Sequence, residues 1–334
     1  MANVITPNFN YTYDGILVKE LFYEPTVKAP LLQDVFTIIQ RNKSKMQLPI
    51  PNAIGKSLQA VSGCSLPTGE SVDITNVTLE TCKFGSRFDQ CASTFWETYL
   101  EEELPSGLSQ FEMNQYLIGI ATQIISDAVT RNIFRHASFG DTDSANAYWN
   151  VCDGLFKKLI EGIATYQVKF VDDISTLNQT AGTRALDYLN NIWTGADIIL
   201  KQMPVNQKQI LVTGNFFENL VINYQNGALS NGGLTLEYQQ GIPRPRYNGV
   251  EIKPVYAWDE ALMDSTNPYA ADFNTVLLYT AKENHVIGLD SSNDMQQLDI
   301  WYDKKDLKVY FDVMFNMGYQ FIHGGLTAIS YGTV

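Results

Sequence analysis

Basic residues are scarce in this chain of 334 residues. Lys and Arg together number 23, whereas Asp and Glu number 36, which gives a formal net charge of −13 at neutral pH. An averaged surface of this sign repels phosphate. The composition therefore argues against a dedicated nucleic-acid-binding protein, although it leaves room for a local basic patch. Weak, non-specific contact is the expected interaction with DNA.

Long apolar runs are also missing. No stretch of about 18 apolar residues occurs, and residues 1–10 lack a basic start followed by an apolar segment. The sequence therefore predicts neither a membrane-spanning helix nor a secretion signal. We expect a soluble protein that is made in the cytoplasm.

Cysteine and histidine are few, and their spacing indicates no site. Cys64, Cys82, Cys91 and Cys152 contain no CxxC pair, and the three histidines form neither HxxxH nor HExxH. Because a secretion signal is missing, we expect buried free thiols in preference to disulfides or a metal site. No metal and no other cofactor is expected.

Known catalytic motifs are not found either. The chain has no GxSxG, no GxxxxGK[ST] and no GxGxxG after a strand. The candidate metal carboxylates are Asp141 with Asp143 and Asp172 with Asp173, and Glu101 to Glu103 are candidate acid–base groups. Each aspartate pair falls in an apparent loop or helix cap without a third ligand, so we interpret these residues as capping or solvated. The chain is not expected to be an enzyme.

What the sequence does contain is apolar periodicity typical of a folded protein with one large or two medium domains. Helical spacing predicts a long helix from Ser109 to Arg135, with Ser109 and Glu112 as a capping box. At 1.5 Å per residue this is a rod of about 40 Å. Further helices are predicted over Leu31–Arg41, Ala145–Thr165 and Thr183–Gln202.

The first hundred residues show little sign of a core of their own. Residues 1–28 alternate polar and aromatic side chains and suit an extended arm. The segment Met46–Gln90 reads as a long hairpin with its tip around Gly63–Glu70. Because an isolated two-stranded ribbon is marginal in water, the hairpin should lie on a neighbour.

Most strands are predicted late in the chain. A strand over Gln209–Thr213 leads into a helix over Asn215–Gln225, and Asn248 with Gly249 is the strongest hairpin signal in the sequence. Its strands are Ile242–Tyr247 and Val250–Ala257. The remaining predicted strand segments are Val276–Thr280, His285–Leu289, Val309–Met317 and Phe321–Ser330. Strands and helices mix without a βαβ rhythm, which predicts the α+β class.

At this point the residues carry a resemblance. The order of arm, long hairpin, long helix and mixed domain resembles the major capsid proteins of tailed double-stranded DNA bacteriophages. Three local matches support it, namely Ile210–Tyr224 (ILVTGNFFENLVINY), Tyr247–Trp258 (YNGVEIKPVYAW) and Lys308–Thr327 (KVYFDVMFNMGYQFIHGGLT). The order of the elements covers most of the chain and is a stronger signal than any single match.

The resemblance implies a domain organisation and a function. The implied regions are an N-terminal arm and short helix (1–45), an extended hairpin loop (46–90), a peripheral domain (91–175 and 273–334) with a spine helix (109–135), and an axial domain (176–272). The implied function is a structural major capsid protein that self-assembles into hexamers and pentamers and so forms an icosahedral shell around the phage genome. Alternatives left open are a vertex, tail or baseplate component, and a metal-dependent hydrolase.

The resemblance also implies partners and a location. The chain would bind copies of itself, a portal, and scaffolding or decoration proteins, without a membrane, and would assemble in the host bacterial cytoplasm into the virion capsid. The run Glu101 to Glu103 is either a solvated helix end or a contact with a basic surface of another subunit. The candidate interface residues are Lys56, Leu58, Val61, Leu66, Glu70, Asp73, Arg87, Glu101, Glu102 and Glu103.

Overall fold

Helices and two large mixed sheets are interleaved along the chain in this computed structural model. The structure describes residues 10–13, 30–40, 44–51, 74–91, 110–178, 180, 182–225, 233–239, 242–290, 297–303 and 308–332. The α+β class predicted from the sequence is confirmed.

The strands, in chain order, are β1 (Asn10–Tyr13), β2 (Thr37–Gln40), β3 (Lys45–Pro51), β4 (Ile74–Glu80), β5 (Cys82–Cys91), β6 (Lys169–Asp173), β7 (Lys208–Val212), β8 (Leu234–Gln239), β9 (Ile242–Tyr247), β10 (Val250–Pro254), β11 (Thr275–Ala281), β12 (His285–Leu289), β13 (Gln297–Asp303), β14 (Lys308–Phe321) and β15 (Thr327–Gly332). The α-helices are α1 (Pro30–Gln33), α2 (Gln110–Phe139), α3 (Leu155–Ala164), α4 (Ala185–Gly195), α5 (Ile198–Gln202), α6 (Gly214–Gln225) and α7 (Tyr256–Leu262). Short 3₁₀ turns lie at Val205–Gln207 and Gly324–Leu326.

A six-stranded sheet is organised around the long strand β14. Its order is β1-β13-β14-β12-β2, and β5 also pairs with β14. Strand β5 runs antiparallel to β14 from Lys308 opposite Cys91 to Met317 opposite Cys82. The last part of the predicted hairpin, from Cys82 to Gln90, therefore belongs to this sheet and pairs with one of the last strands of the chain.

A seven-stranded sheet has the order β6-β15-β11-β7-β10-β9-β8. Strands β7 and β11 are buried along their whole length, and helices α4 and α6 pack on this sheet. The sheet includes β11 and β15, although the sequence assigns residues 273–334 to the other domain. The predicted domain division at residue 272 therefore does not coincide with the edge of a sheet.

An aromatic core joins α2, α3 and α7. Phe139 stacks on Phe156 with ring centroids 4.8 Å apart, and Phe156 meets Trp258 edge-on at 5.3 Å. The indole nitrogen of Trp258 donates to Ser138 Oγ at 3.1 Å, so this buried ring keeps its polar group satisfied. This core belongs to one cluster that includes residues of both large sheets.

The long helix predicted from Ser109 to Arg135 is confirmed as α2, which extends one turn further and contains 30 residues. Its predicted capping box involves side chains outside the described set. Within the described half, Ile125, Val129 and Ile133 lie on the buried face at helical spacing. Among the described helices, including this one, none is both long and apolar enough to cross a bilayer.

The helix predicted over Leu31–Arg41 is wrong beyond its first turn. Helix α1 ends at Gln33, and the chain then forms β2, which runs parallel to β12. The run Thr37, Ile38 and Ile39 is β-branched, which favours a strand where a partner strand is available. The apolar periodicity of this segment places Leu32, Val35 and Phe36 on one face, and all three are buried, although the helix that it predicts does not continue.

The helix predicted over Ala145–Thr165 is wrong in its first half, because α3 begins only at Leu155. Residues before it form turns that pass close to the end of α2. A Cβ on Gly140 would lie 2.1 Å from the Cys152 carbonyl oxygen, and one on Gly154 would lie 2.6 Å from that of His136. Two glycines thus permit a backbone crossing that helical periodicity does not reveal.

The helix predicted over Thr183–Gln202 is two helices. Helix α4 ends at Gly195, and α5 begins after Asp197, whose side chain accepts a hydrogen bond from the Ile199 amide at 2.9 Å. An aspartate with this local bond favours a helix start over a helix interior. The apolar pattern continues across the break because both helices bury Leu or Ile residues.

The Asn248-Gly249 hairpin is confirmed between β9 and β10. Both turn residues have positive φ, +48° and +83°, as the tight turn requires. The strand predicted to reach Ala257 ends at Pro254, and α7 follows. The predicted closing strand is also shortened, because the 3₁₀ turn at Gly324–Leu326 separates β14 from β15.

The expectation of free thiols is wrong for Cys82 and Cys152, which form a disulfide between β5 and the segment before α3. Their Cα atoms are 5.9 Å apart, and 70 residues separate them in sequence. Two cysteines this far apart match no sequence motif, so their pairing could not be predicted from the sequence. Cys64 and the side chain of Cys91 lie outside the described set.

Reduction of this disulfide is expected to lower the free energy of unfolding by about 4 kcal/mol, because opening a loop of this length returns entropy to the unfolded chain. Urea unfolding of the oxidised and reduced protein measures the difference. Cys82→Ser should behave like the reduced protein under both conditions, and Cys91→Ser should keep the full response to reductant. Equal midpoints for oxidised and reduced wild type would contradict the expectation.

Candidate subunit interface

The predicted long hairpin is confirmed at its base, where β3 and β4 form a two-stranded antiparallel sheet. The register runs from Lys45 opposite Glu80 to Pro51 opposite Ile74. At the start of this ribbon, the Lys45 ammonium lies 2.5 Å from the Glu80 carboxylate, with both side chains largely exposed. The predicted tip at Gly63–Glu70 lies outside the described residues.

A small apolar cluster attaches the ribbon to the six-stranded sheet. Leu48 and Leu79 are buried with Val286 of β12, and Ile39 and Ile322 pack against them at the edge. Most other described side chains of the ribbon are exposed. The ribbon is therefore anchored near its base and presents the rest of its surface to solvent in the isolated subunit.

The chain passes from β4 to β5 directly over Gly318 of β14. A Cβ at this position would lie 1.8 Å from the Glu80 carbonyl oxygen, which leaves no room for any side chain. The Thr81 amide, between the two strands, donates to the Ser44 carbonyl at 2.8 Å. A glycine within a strand is typical of such a close backbone approach, and it sets the direction in which the ribbon leaves the sheet.

Arg87 is the predicted interface residue that the structure describes, and its guanidinium is used within its own subunit. Its Nε and Nη2 donate to the two carboxylate oxygens of Asp312 at 2.7 and 2.8 Å. The guanidinium carbon also lies 6.0 Å from the ring centroid of Tyr310. The arginine side chain is 62% exposed, so the group remains accessible from outside while held in a fixed geometry.

The other predicted interface residues cannot be placed beside it. All of them lie outside the described residues: Lys56, Leu58, Val61, Leu66, Glu70, Asp73, Glu101, Glu102 and Glu103. Their assignment to a subunit contact stays a prediction.

Sequence reasoning missed a cavity of about 330 Å³ between β5 and α2, beside the base of the ribbon. Phe84, Phe88 and Val313 contribute apolar walls, and Tyr148 lies at one side with its hydroxyl donating to Asn132 at 2.7 Å. Phe84 and Phe88 lie four residues apart in β5, so they share a face of the strand, and this spacing could have predicted the apolar wall. The apolar periodicity gave no indication of the turns that place Tyr148 beside the cavity.

His136 of α2 lies at this cavity and is buried among aromatic rings. Its ring centroid is 5.0 Å from that of Phe84 and 4.6 Å from that of Tyr148. Within the described structure its Nδ1 has no hydrogen-bond partner. Burial lowers the pKa of His136 to about 4, so the imidazole is neutral at physiological pH.

The candidate metal carboxylates are occupied by other contacts. Lys157 Nζ lies 3.1 Å from Asp141 Oδ1 and 2.5 Å from Asp143 Oδ2, and the Tyr269 hydroxyl donates to Asp141 at 2.9 Å. Hydrogen bonding to Asp143 raises the pKa of Lys157, followed in effect by Asp141. The Asp143 amide also donates to Asp141 Oδ1 at 3.0 Å. This arrangement is a charge-paired turn.

The second acidic pair is likewise engaged locally. The side-chain amide of Asn191 donates to Asp172 Oδ2 at 2.8 Å, and the backbone amide of Asp173 donates to Asp172 Oδ1 at 3.0 Å. Over the described part of the chain, no three His, Cys, Asp or Glu side chains come together as a metal-binding group. The interpretation as solvated residues fits Asp143 and Asp173, which are exposed. It is wrong for Asp141, which is buried, and Asp172 and Asp173 lie in β6 and not in a loop or cap.

Comparison with solved structures finds capsid proteins across nearly the whole chain. The chain is similar to a chain of the satellite phage P4 procapsid that includes the size determination (Sid) protein, with TM-score 0.56 and 13% identity over 97% of this chain and 93% of that one. It is similar to the capsid of a native GTA particle, with TM-score 0.51 and 12% identity over 99% and 96%. The capsid of the cyanophage P-SCSP1u gives TM-score 0.50 and 11% identity over 100% and 92%. No family model and no curated protein matches the sequence.

These likenesses establish the fold. Their coverage of both chains extends over more than nine-tenths of each, so the shared architecture is not confined to one sheet. The chain has the tailed-phage major capsid fold, as the order of its predicted elements implied.

Proposed function

We propose that this chain is a major capsid protein that self-assembles into hexamers and pentamers and forms the icosahedral shell around a phage genome. The observation that carries the proposal is the capsid fold over nearly the whole chain, including a ribbon that is anchored at its base and is otherwise largely exposed. A fold alone does not specify a function. Here, however, a largely solvent-facing ribbon is costly for an isolated subunit and useful where a second copy covers it.

The regional roles follow from the same proposal. Residues 46–90 act as an extended loop that lies over an adjacent subunit, and residues 1–45 act as an arm. Helix α2 is the spine of a peripheral domain built from residues 91–175 and 273–334. Residues 176–272 form the axial domain, whose strands share one sheet with β6, β11 and β15 of the peripheral domain.

The proposed contacts combine charge and apolar surface. Among the predicted interface residues, Leu58, Val61 and Leu66 supply apolar area near the hairpin tip, and the run Glu101 to Glu103 pairs with a basic surface of a neighbour. Arg87 can take part only while its bonds to Asp312 are kept or exchanged. Many copies burying such surface together supply the free energy of assembly.

The proposed setting is the virion capsid, assembled in the cytoplasm of a bacterial host. The partners are copies of this chain, a portal, and scaffolding or decoration proteins. The net charge of −13 suits a wall that must not hold tightly to the DNA inside it. None of the described sites favours the vertex, tail, baseplate or hydrolase alternatives.

The proposal is tested by negative-stain electron microscopy of the purified protein together with its mass by light scattering. Closed shells, tubes, or rings of five or six subunits are expected. Because subunits of like net charge repel, assembly should increase as ionic strength rises from about 0.05 to 1 M, where the screening length falls to about 3 Å. A strictly monomeric or dimeric species across that range, at every protein concentration, would contradict the proposal.

A further inference from the structure

Tyr166 follows α3 in a conformation that usually requires glycine. Its φ is +58°, and it occupies the first position beyond the helix cap. The Gln167 amide donates to the Gly162 carbonyl at 2.8 Å and the Tyr166 amide to the Ile163 carbonyl at 3.0 Å, the two bonds of a Schellman motif. Glycine is common at this position because a Cβ is unfavourable at positive φ.

The tyrosine ring is almost completely exposed in its own subunit. Tyr166 is 96% exposed, whereas the other described residues with positive φ are Asn248 and three glycines, which tolerate that conformation. A strained backbone together with a fully solvated aromatic ring is unfavourable in the isolated chain. Such a combination indicates a function outside the subunit.

The turn Gly324–Leu326 links the segment after Tyr166 to further exposed apolar side chains. The Gln167 carbonyl lies against Gly324, and α5 packs on the 3₁₀ turn Gly324–Leu326. On α5, Ile198 is 66% exposed and Ile199 is also exposed. Beyond the turn, Met203, Ile322 and Leu326 line a cavity of about 310 Å³. We name Tyr166, Ile198, Ile199 and this cavity the turn patch.

The charges around the turn patch decide which partner it suits. Asp197 caps α5 and Lys201 lies in its last turn, whereas Lys282 and Glu283 lie at the cavity. All four side chains are exposed, and their two negative and two positive charges cancel. DNA needs a basic surface, which this is not. Two copies of a chain with net charge −13 repel each other overall, so a neutral apolar patch is where they can approach.

We propose that the turn patch is a contact between copies of this chain and that Tyr166 is its anchor. This inference rests on the proposed function and assigns it a surface that adjoins the base of the ribbon at Ile322 and does not include the predicted hairpin tip. Tyrosine suits the role because it provides a large contact area with few rotatable bonds and a hydroxyl for the interface rim. The cavity beside the turn gives an apolar side chain of the second copy a place to insert.

The test compares the full-length wild type with Tyr166→Gly, which removes both the ring and the strain. Subunits kept below the assembly concentration should melt about 2 °C higher than wild type, because glycine relieves the positive φ. The concentration needed for half-maximal assembly, followed by light scattering, should rise about tenfold or more. Opposite effects on folding and assembly are not expected from a residue with a purely structural role.

Two further variants serve as controls. Tyr166→Phe keeps the ring and the strain, so it should assemble within about twofold of wild type, because only the rim hydroxyl is lost. Met263→Ser removes an 84% exposed apolar side chain that lies after α7, and it should leave assembly unchanged. Equal assembly of wild type and Tyr166→Gly overturns the turn patch and leaves the proposed function standing. A wild type that never assembles overturns both.

Discussion

Joining Pro51 to Ile74 through an Asn-Gly turn, in place of residues 52–73, is expected to leave a folded subunit that no longer closes into shells. Pro51 and Ile74 are opposite one another in the last described pair of the ribbon. A two-residue Asn-Gly connection matches the twist of paired strands. The shortened hairpin can therefore close without disturbing the pairing that the structure shows.

The fold should survive this change because the contacts that hold the ribbon lie at its base. Leu48, Leu79 and Val286 remain buried together, and β5 still pairs with β14 along its whole length. The disulfide from Cys82 to Cys152 also remains. Thermal melting and circular dichroism of the variant should stay close to those of wild type.

Assembly should fail because the deleted residues include six of the ten predicted interface positions. Electron microscopy and light scattering, under conditions in which wild type assembles, give the measurement. A milder variant, with Leu58, Val61 and Leu66 changed to Ser, removes the apolar contact while the hairpin keeps its full length. This variant should assemble weakly. Normal shells from the Asn-Gly variant would contradict the assignment of 46–90 as an intersubunit loop.

Local chemistry explains what could be predicted from the sequence. The Asn248-Gly249 turn was found because positive φ at both positions requires such residues. The long helix α2 was found because its apolar spacing continues over many turns. The element order, which pointed to the capsid fold, needed only the sequence of elements and not their boundaries.

Long-range contacts explain what could not be predicted. Thr37 to Ile39 form a strand because they pair with β12, and Cys82 forms a disulfide with Cys152, which lies 70 residues later in the sequence. The glycines at 140 and 154 allow a backbone crossing that depends on partners remote in the pattern. Tertiary context overrides local preference at each of these places.

The candidate interface was harder to predict than the fold for a related reason. The predicted interface residues lie on the hairpin and in the run Glu101 to Glu103. One of them, Arg87, bonds Asp312 on a strand more than two hundred residues later. Tyr166 carried no sequence signal, since a tyrosine after a helix is ordinary until its φ is known. Surface function in this chain depends on conformation more than on composition.

Acid is expected to destabilise the dissociated subunit strongly, through two buried histidines. Burial lowers the pKa of His136 to about 4 and that of His285 to about 3, from an ordinary 6.5. His285 is fully buried, and its Nδ1 shares a hydrogen bond of 2.7 Å with the Tyr319 hydroxyl, while Nε2 has no partner among the described residues. Desolvation of the buried ring is the cause of the lowered pKa at both sites.

The sign of the effect follows from proton binding. Below pH 6.5 the unfolded chain protonates both imidazoles, whereas the folded chain does not until the pH reaches about 4 for His136 and about 3 for His285. The free energy of unfolding therefore falls as the pH drops through this window. At full extent the losses are about 3 kcal/mol for His136 and about 5 kcal/mol for His285, and at pH near 4.5 they sum to about 5 kcal/mol.

Urea unfolding of the dissociated subunit between about pH 7 and 4.5 measures this dependence, and histidine variants separate it from the titration of carboxylates. His136→Phe replaces a ring whose Nδ1 has no described partner, within an aromatic environment that accepts phenylalanine. It should therefore be stable near neutral pH and lose about half of the acid sensitivity over this range. His323→Gln should keep the wild-type slope that the buried histidines cause, because the change leaves both of their imidazoles in place. If His136→Phe instead retains the wild-type slope, His136 is already charged or hydrated in the folded subunit, and the wall between β5 and α2 at the base of the ribbon is open to water.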